Sequence, residues 1–456
     1  MTPSGPKHRH TSSIKASRPR SSTKGPLDAP DENVLPTSAA GDTVSSPRSR
    51  VESPIEWSHI SAASSARNST FSDVDTISTA VNKNFSFLLR PDIFHPLSQL
   101  EISPAFREKL SSPSANEPSA TSLATLDKLL NNGHFLHAAH FSAAVLTSSA
   151  LSPTDHESIF SLLYIRLACL ELTGNTLLAA QEAKALEDLS SSFYFIDAEL
   201  DAAAIGQDEA SQARPRHIVP WPLRVLAVRL QSIGFGDARR GIQGLYELGL
   251  EPRRELSRNG ITAEEKVVWK SRLEDLGIRV VNALVEMGDL DGARRSLASL
   301  TAPSRGSERD ITRMALLYLK VGDVDAARKL LESRPEDDGN LLHPLLSMAE
   351  GKYDEAVMAW KTLRESNIGK PDEPLISQNL AVCLLYTGKL NESRDLLESL
   401  IESNHSFQSL TFNLATVYEL SSDKSRALKL RLTERIAKHP PSADKNWERP
   451  NVDFKI

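Results

Sequence analysis

VVNALVEMGDLDGARRSLASL, from Val280 to Leu300, is followed by TRMALLYLKVGDVDAARKLLES, from Thr312 to Ser333. Each is an apolar stretch, a Gly-Asp turn, and a second apolar stretch with Ala five positions past the Gly. Within each half the apolar residues recur at intervals of three and four, the signature of a helix with one buried face. Aligning on Gly288 and Gly322 puts Val281 and Ala315 at one small position of the first helix. Leu284 and Tyr318 fall one turn later, Ala293 and Ala327 at the small position of the second helix, and Leu297 and Leu331 at its bulky position. Asp289 and Asp323 follow the Gly, where a carboxylate accepts from the first free N–H groups of the next helix.

Outward from this pair the pattern continues. Ala381, Leu384, Gly388, Ser393 and Leu397 repeat it, and Ala415, Tyr418 and Ala427 stand in register with Ser422 in place of the turn Gly. Gly133, Gly174 and Gly351 mark further turns, with Gly236 a looser one. The interval from Gly288 to Gly322 is 34 positions (322 − 288), the period of a tetratricopeptide (TPR) repeat. The fold class expected is all-α: a TPR-like helical-hairpin solenoid over residues 121–439, behind a disordered N-terminal tail, with residues 440–456 extended. Gly133, Gly174, Gly288, Gly322, Gly351 and Gly388 are its structural turns. Pro344 falls at the small position of the Gly351 unit and predicts a short helix there. Ser152-Pro153 with Thr154 and Glu157 reads as a capped helix start, and Leu177 to Leu189 as the helix returning after Gly174. Trp221, between two prolines, staples another start. Stretches near Phe193–Pro220, Glu251–Glu265 and Thr301–Asp310 read as surface loops between helices.

Residues 1–120 are dense in Ser, Thr and Pro, too polar to offset chain entropy by burial. Ser46, Ser53, Ser103 and Ser112 each precede Pro, which is ordinary in such a tail and also fits proline-directed phosphorylation. The apolar island FSFLLRPDIFHPLSQLEISPAF (residues 85–106) interrupts it. It docks on the folded part or on a partner; the sequence leaves both open, with the first favoured. The start of the chain lacks the apolar core of a secretory signal, and Pro3, Pro6, Pro19 and Pro26 preclude an amphipathic transit helix.

With 53 basic and 59 acidic side chains the formal net charge is −6, which gives no reason to expect nucleic acid as a partner. Cys169 and Cys383 sit in apolar runs and read as small buried hydrophobes in a reducing compartment. No apolar stretch approaches the ~18 residues of a membrane span. The motifs GxxxxGK[ST], GxSxG, HExxH and paired CxxC are absent, so the chain reads as no enzyme, with no cofactor. His134, His137 and His140 drift around a helix and lack an added Cys or carboxylate cluster, which argues against a metal. Arg239-Arg240, Arg253-Arg254 and Arg294-Arg295 read as solvated faces or as contacts with an acidic membrane or partner. A TPR clamp for a peptide carboxylate would use Asn282, but Ile278 stands where Lys is needed. The clamp is therefore incomplete.

LAVCLLYTGKLNESRDLLESLI (Leu380–Ile401) and SLTFNLATVYELSS (Ser409–Ser422) resemble the family of subunit 12 of the trafficking protein particle (TRAPP) complex. VWKSRLEDLGIRVVNALVEMGDLDGA (Val268–Ala293) and HIVPWPLRVLAVRL (His217–Leu230) resemble its middle region, so the likeness runs over roughly Leu123–Leu430. The resemblance implies a non-enzymatic scaffold subunit of a tethering assembly that promotes nucleotide exchange on a Rab GTPase. It implies endoplasmic reticulum-to-Golgi transport and autophagy as the setting. Partners would be other TRAPP subunits and indirectly the Rab, with cytoplasmic location and peripheral membrane association through the complex. The matched Asn379, Ala381, Leu384, Tyr386, Gly388, Phe412, Asn413, Tyr418 and Glu419 are mostly core and turn positions; Asn379, Asn413 and Glu419 are the candidates for protein contact. A generic TPR adaptor or co-chaperone binding peptide segments is the alternative.

Overall fold

The computed structural model describes residues 83–107, 109–111, 119–196, 216–300, 308–332, 341–442 and 445–449. The sequence-based expectations for residues 1–82, for Ser112 and for residues 450–456 lie outside them.

The described chain is an all-α solenoid of consecutive helical hairpins. The first pairs are α1 (Ser119–Asn131) with α2 (Phe135–Leu146), and α3 (His156–Leu172) with α4 (Thr176–Glu182). α5 (Trp221–Phe235) pairs with α6 (Ala238–Leu248), which runs on into a short α7 (Leu250–Leu256). Then come α8 (Ala263–Met287) with α9 (Leu290–Ser299), α10 (Glu308–Lys320) with α11 (Val324–Glu332), and α12 (Leu342–Ala349) with α13 (Tyr353–Ser366). The last are α14 (Glu373–Tyr386) with α15 (Leu390–Glu402), and α16 (Gln408–Ser421) with α17 (Ser425–Ile436).

One turn geometry recurs because the sequence provides it. Gly288 (φ 84°) donates its N–H to Val285 O at 3.0 Å, and Asp289 donates to Leu284 O at 3.0 Å. Gly322 (φ 76°) and Asp323 repeat this with Leu319 O at 3.1 Å and Tyr318 O at 2.8 Å. These two bonds close the carbonyls left open at a helix end. The following carboxylates then open the next helix, Asp289 accepting from Gly292 N–H at 2.8 Å and Asp323 from Ala326 N–H at 3.1 Å. Gly133, Gly174, Gly351 and Gly388 also hold positive φ, and Asn404 (φ 64°) does the same work without glycine. At Ser422 the chain leaves α16 extended instead.

The small positions let neighbouring helices approach. Ala293, Ala327, Ala356 and Ala381 are buried, and Ser393 is buried with its hydroxyl donating to Ala381 O at 2.7 Å. Trp360 fills the α12–α13 unit and donates its Nε1–H to Met348 Sδ at 3.3 Å. α12 has only eight residues, beginning just before Pro344.

Several expectations are corrected in detail. The α3 start is capped by Asp155, which accepts from Ser158 N–H at 3.2 Å, one position beyond the expected Thr154. The helix returning after Gly174 is α-helical only to Glu182 and tightens to 3-10 over Ala183–Leu186. Residues 251–256, expected as loop, are helical, because Pro252 sits in the first turn of α7 where no N–H is needed.

Two non-helical segments pack on the array. In the island, Phe85 and Leu88 are buried with Phe160 and the first hairpins, Phe85 meets the exposed Phe193 ring edge-on, and Phe85 N–H donates to Pro153 O at 2.9 Å. Each such side chain contributes about 1.5–3 kcal/mol by leaving water, so the island is seated in cis. It is anchored by a buried pair, Arg166 (1% exposed) with Glu182 (0%). Arg166 donates to Glu182 Oε1 at 2.6 Å and Oε2 at 2.8 Å, to Ala139 O at 2.8 Å and to His95 O at 2.9 Å. Glu182 in turn accepts from His95 N–H at 2.9 Å. Near the C-terminus, residues 445–449 form a non-helical strap. Trp447 packs with the α15–α17 cluster and stacks on Phe106 at 5.3 Å, while Asn446 donates to Leu172 O at 2.8 Å. Buried Glu448 accepts from Leu136 N–H at 2.5 Å, supplying the cap that His134 does not give to α2.

Candidate interaction surface

The first helices of successive hairpins carry a linked polar face. Arg229 of α5 pairs with Glu171 of α3, and with Glu286 of α8 at 3.3 Å. Lys320 of α10 donates to Asn282 Oδ1 of α8 at 2.8 Å. Asp275 of α8 accepts from Arg279 at 2.6 Å and lies 3.5 Å from Arg313 of α10. Burial pulls the Lys320 ammonium below its ordinary value, opposed by Glu286 and reinforced by Arg229. Burial likewise raises the Tyr164 phenol to about 12, with Arg279 opposing and Glu171 adding. These ion pairs and hydrogen bonds tie neighbouring first helices to one another. Asn282 is buried, and its Oδ1 accepts from Lys320, so its carbonyl side ties α8 to α10.

Further along, the matched residues divide. Asn379 on α14 and Asn413 on α16 are 34 positions apart (413 − 379), half-buried at equivalent places on neighbouring first helices. Neither side chain hydrogen-bonds within the described residues. Glu419 lies elsewhere: its carboxylate is exposed but holds the buried Lys429 ammonium of α17. Six residues from Asn413 is about 240° around the helix at 100° per residue, so the three candidates do not converge. Tyr386 and Phe412, read as packing positions, are exposed; Tyr386 (64%) stacks on Tyr353 at 4.4 Å and 4°. Their exposure follows from standing one residue outside the buried face, a distinction that spacing alone blurs.

His134 and His137, at the start of α2, have structural partners. His137 Nε2 lies 2.9 Å from Ser111 N and 2.8 Å from its Oγ, and His134 Nδ1 is 4.0 Å from Glu448. Among the described residues no group of three or more His, Cys, Asp or Glu could hold a metal ion, and no helix is long and apolar enough to cross a membrane. The charged face went unread in the sequence because its members occupy different repeat positions and become neighbours only on stacking.

No family model matches the chain. Among curated proteins it is similar to mouse trafficking protein particle complex subunit 12, at 26% identity over 254 residues, covering 48% of this chain and 31% of the mouse protein. The human protein of the same name is 24% identical over 250 residues, covering 48% of this chain and 34% of its own length. The match therefore spans about a third of each relative, and what it carries is a TRAPP subunit 12-like relationship across a little less than half of this chain.

Proposed function

We propose that the chain is a non-enzymatic scaffold subunit of a TRAPP-type tethering assembly. The similarity to subunit 12 carries this reading, and the hairpin array supports it: stacked hairpins present an extended surface suited to protein partners. On this reading the hairpins are TPR-like, as the 34-residue interval suggests. The partners are other TRAPP subunits, and through them a Rab GTPase and membrane. The setting is cytoplasmic, at endoplasmic reticulum–Golgi membranes, in vesicle transport and autophagy. Asn379 and Asn413, with unpartnered amides on adjacent helices, are the proposed contact residues, with Glu419 at the margin.

The test is affinity purification of the tagged full chain from its own cells, with mass spectrometry of what co-purifies. Recovery of TRAPP subunits at near-equal ratio supports the reading. Recovery of chaperones alone, or of no stable partner, overturns it in favour of a peptide-binding adaptor.

A further inference from the structure

Several arginines of the middle hairpins hold a carboxylate. Arg224 pairs with Glu251, Arg258 with Glu255 and Glu265, Arg279 with Asp275, and Arg328 with Asp325 and Glu350. Arg239, Arg240, Arg253 and Arg254 are different. All four are exposed, and none has a carboxylate partner among the described residues. The acids nearby in sequence are already used. Glu251 and Glu255 are paired as above, Asp237 caps α6 by accepting from Arg239 N–H at 3.0 Å, and Glu247 accepts from Gln243 at 2.9 Å.

The placement is a stripe. Gly249 keeps right-handed helical backbone (φ −66°, ψ −12°) and donates to Leu245 O at 3.0 Å, so the α6 spiral carries into α7. Arg239, Gln243, Tyr246, Leu250 and Arg253 succeed one another at intervals of three or four, hence on one side. Tyr246 (52% exposed) and Leu250 (47%) stand between the arginines. At one end Phe235 (56% exposed) lies under the Arg240 guanidinium at 4.0 Å. The opposite side, with Gly241, Leu245 and Pro252, is buried. From Arg239 to Arg254 the stripe runs ~22 Å at 1.5 Å per residue.

We propose that this side of α6–α7 is a contact surface for a bilayer carrying anionic lipid. Uncompensated cations interleaved with exposed Tyr, Leu and Phe match a headgroup layer, which offers negative charge outside and apolar chains just beneath. A guanidinium row on the outward side of a helix meets a plane of phosphates along its whole length. The pairing is electrostatic and salt-sensitive, with each basic residue adding roughly 1 kcal/mol, or about fivefold in partitioning. The surface is independent of the tether reading: it gives direct membrane contact whichever proteins the chain joins.

The experiment is co-sedimentation of the full chain with phosphatidylcholine vesicles, with and without phosphatidylserine, over a salt series. The wild type should bind only the phosphatidylserine vesicles and weaken with salt. The variant Arg239→Ala/Arg240→Ala/Arg253→Ala/Arg254→Ala should lose several-hundred-fold, at about fivefold per residue, with its thermal melt unchanged. The four-fold Arg→Lys variant should retain binding, because phosphates in a fluid layer require charge and not a fixed bidentate fork. Tyr246→Ala/Leu250→Ala should weaken binding at high salt, where the apolar part dominates. Equal binding by the wild type and the Ala variant, or equal binding to both vesicle types, overturns the proposal. Binding of polyglutamate but not of vesicles overturns it in favour of an acidic protein segment.

Discussion

Replacing Arg166 by Ala removes the hub between the island and the first hairpins. The guanidinium is 1% exposed and makes four hydrogen bonds: two to Glu182, one to Ala139 O and one to His95 O. Deleting it leaves the Glu182 carboxylate, 0% exposed, with only His95 N–H as a named donor. Breaking a buried pair from one side costs about 3–5 kcal/mol, because the remaining charge stays desolvated. The chain can limit that loss by letting water in, and the easiest route is release of residues 83–97, whose backbone is tied down at few points. The expected result is a loss of about 4 kcal/mol in urea denaturation of the first hairpins. Hydrogen exchange should rise first at Phe85–His95, and the α14–α17 hairpins should be unaffected, since hairpin arrays open locally. Arg166→Met/Glu182→Leu, which removes both charges, should recover most of the loss. A single variant that unfolds at the wild-type urea concentration, or a double variant no better than the single, would refute the reasoning.

Gly133→Ala should cost about 1–2 kcal/mol for its left-handed backbone (φ 80°). It should also raise exchange in residues 445–449, because a Cβ there would lie 2.3 Å from Lys445 O; Gly288→Ala, with open space around it, should show the backbone cost alone. His217 is held neutral, Nε2 at 2.9 Å from Leu189 O and Nδ1 accepting from Val219 N–H at 3.0 Å; burial, aided by Arg224, pushes it down to about 4. Its folded value lies below the unfolded ~6.5, so its contribution is whole above pH ~6.5 and is lost as pH falls towards 4. Urea midpoints of wild type and His217→Gln should differ in pH slope only in that window. Burial raises the Cys383 thiol to about 11 and Cys169 further still, so both should resist iodoacetamide at neutral pH and react at the rate of local unfolding; rapid labelling of native protein would contradict this.

The turns were legible because each rests on local chemistry: a left-handed residue, a capping acid and small residues at fixed offsets. The α8–α11 hairpins follow almost directly from Gly288, Gly322, Ala293 and Ala327. Asn404 was hidden because asparagine tolerates the same backbone without announcing it. The α7 helix was hidden because Pro252 in a first turn resembles Pro in a loop. The polar face through Glu171, Arg229, Glu286 and Lys320 has no sequence period at all, and Glu448 capping α2 joins residues 312 apart. Of the candidate surface, Asn379 and Asn413 were visible as a repeated pair. The tie of Glu419 to Lys429 was not, since it depends on how α17 packs back.

The strap has a consequence for how the chain acquires its structure. A hairpin forms from neighbours in sequence, whereas Leu136 with Glu448 closes a loop of more than 300 residues. Closure entropy grows only as the logarithm of loop length, but contacts so distant form late. During synthesis α2 emerges long before its cap exists, so the first hairpin must persist with an open helix end until Glu448 arrives. The strap is then the closing step, and it should slow unfolding far more than it speeds folding, as contacts absent from the transition state do.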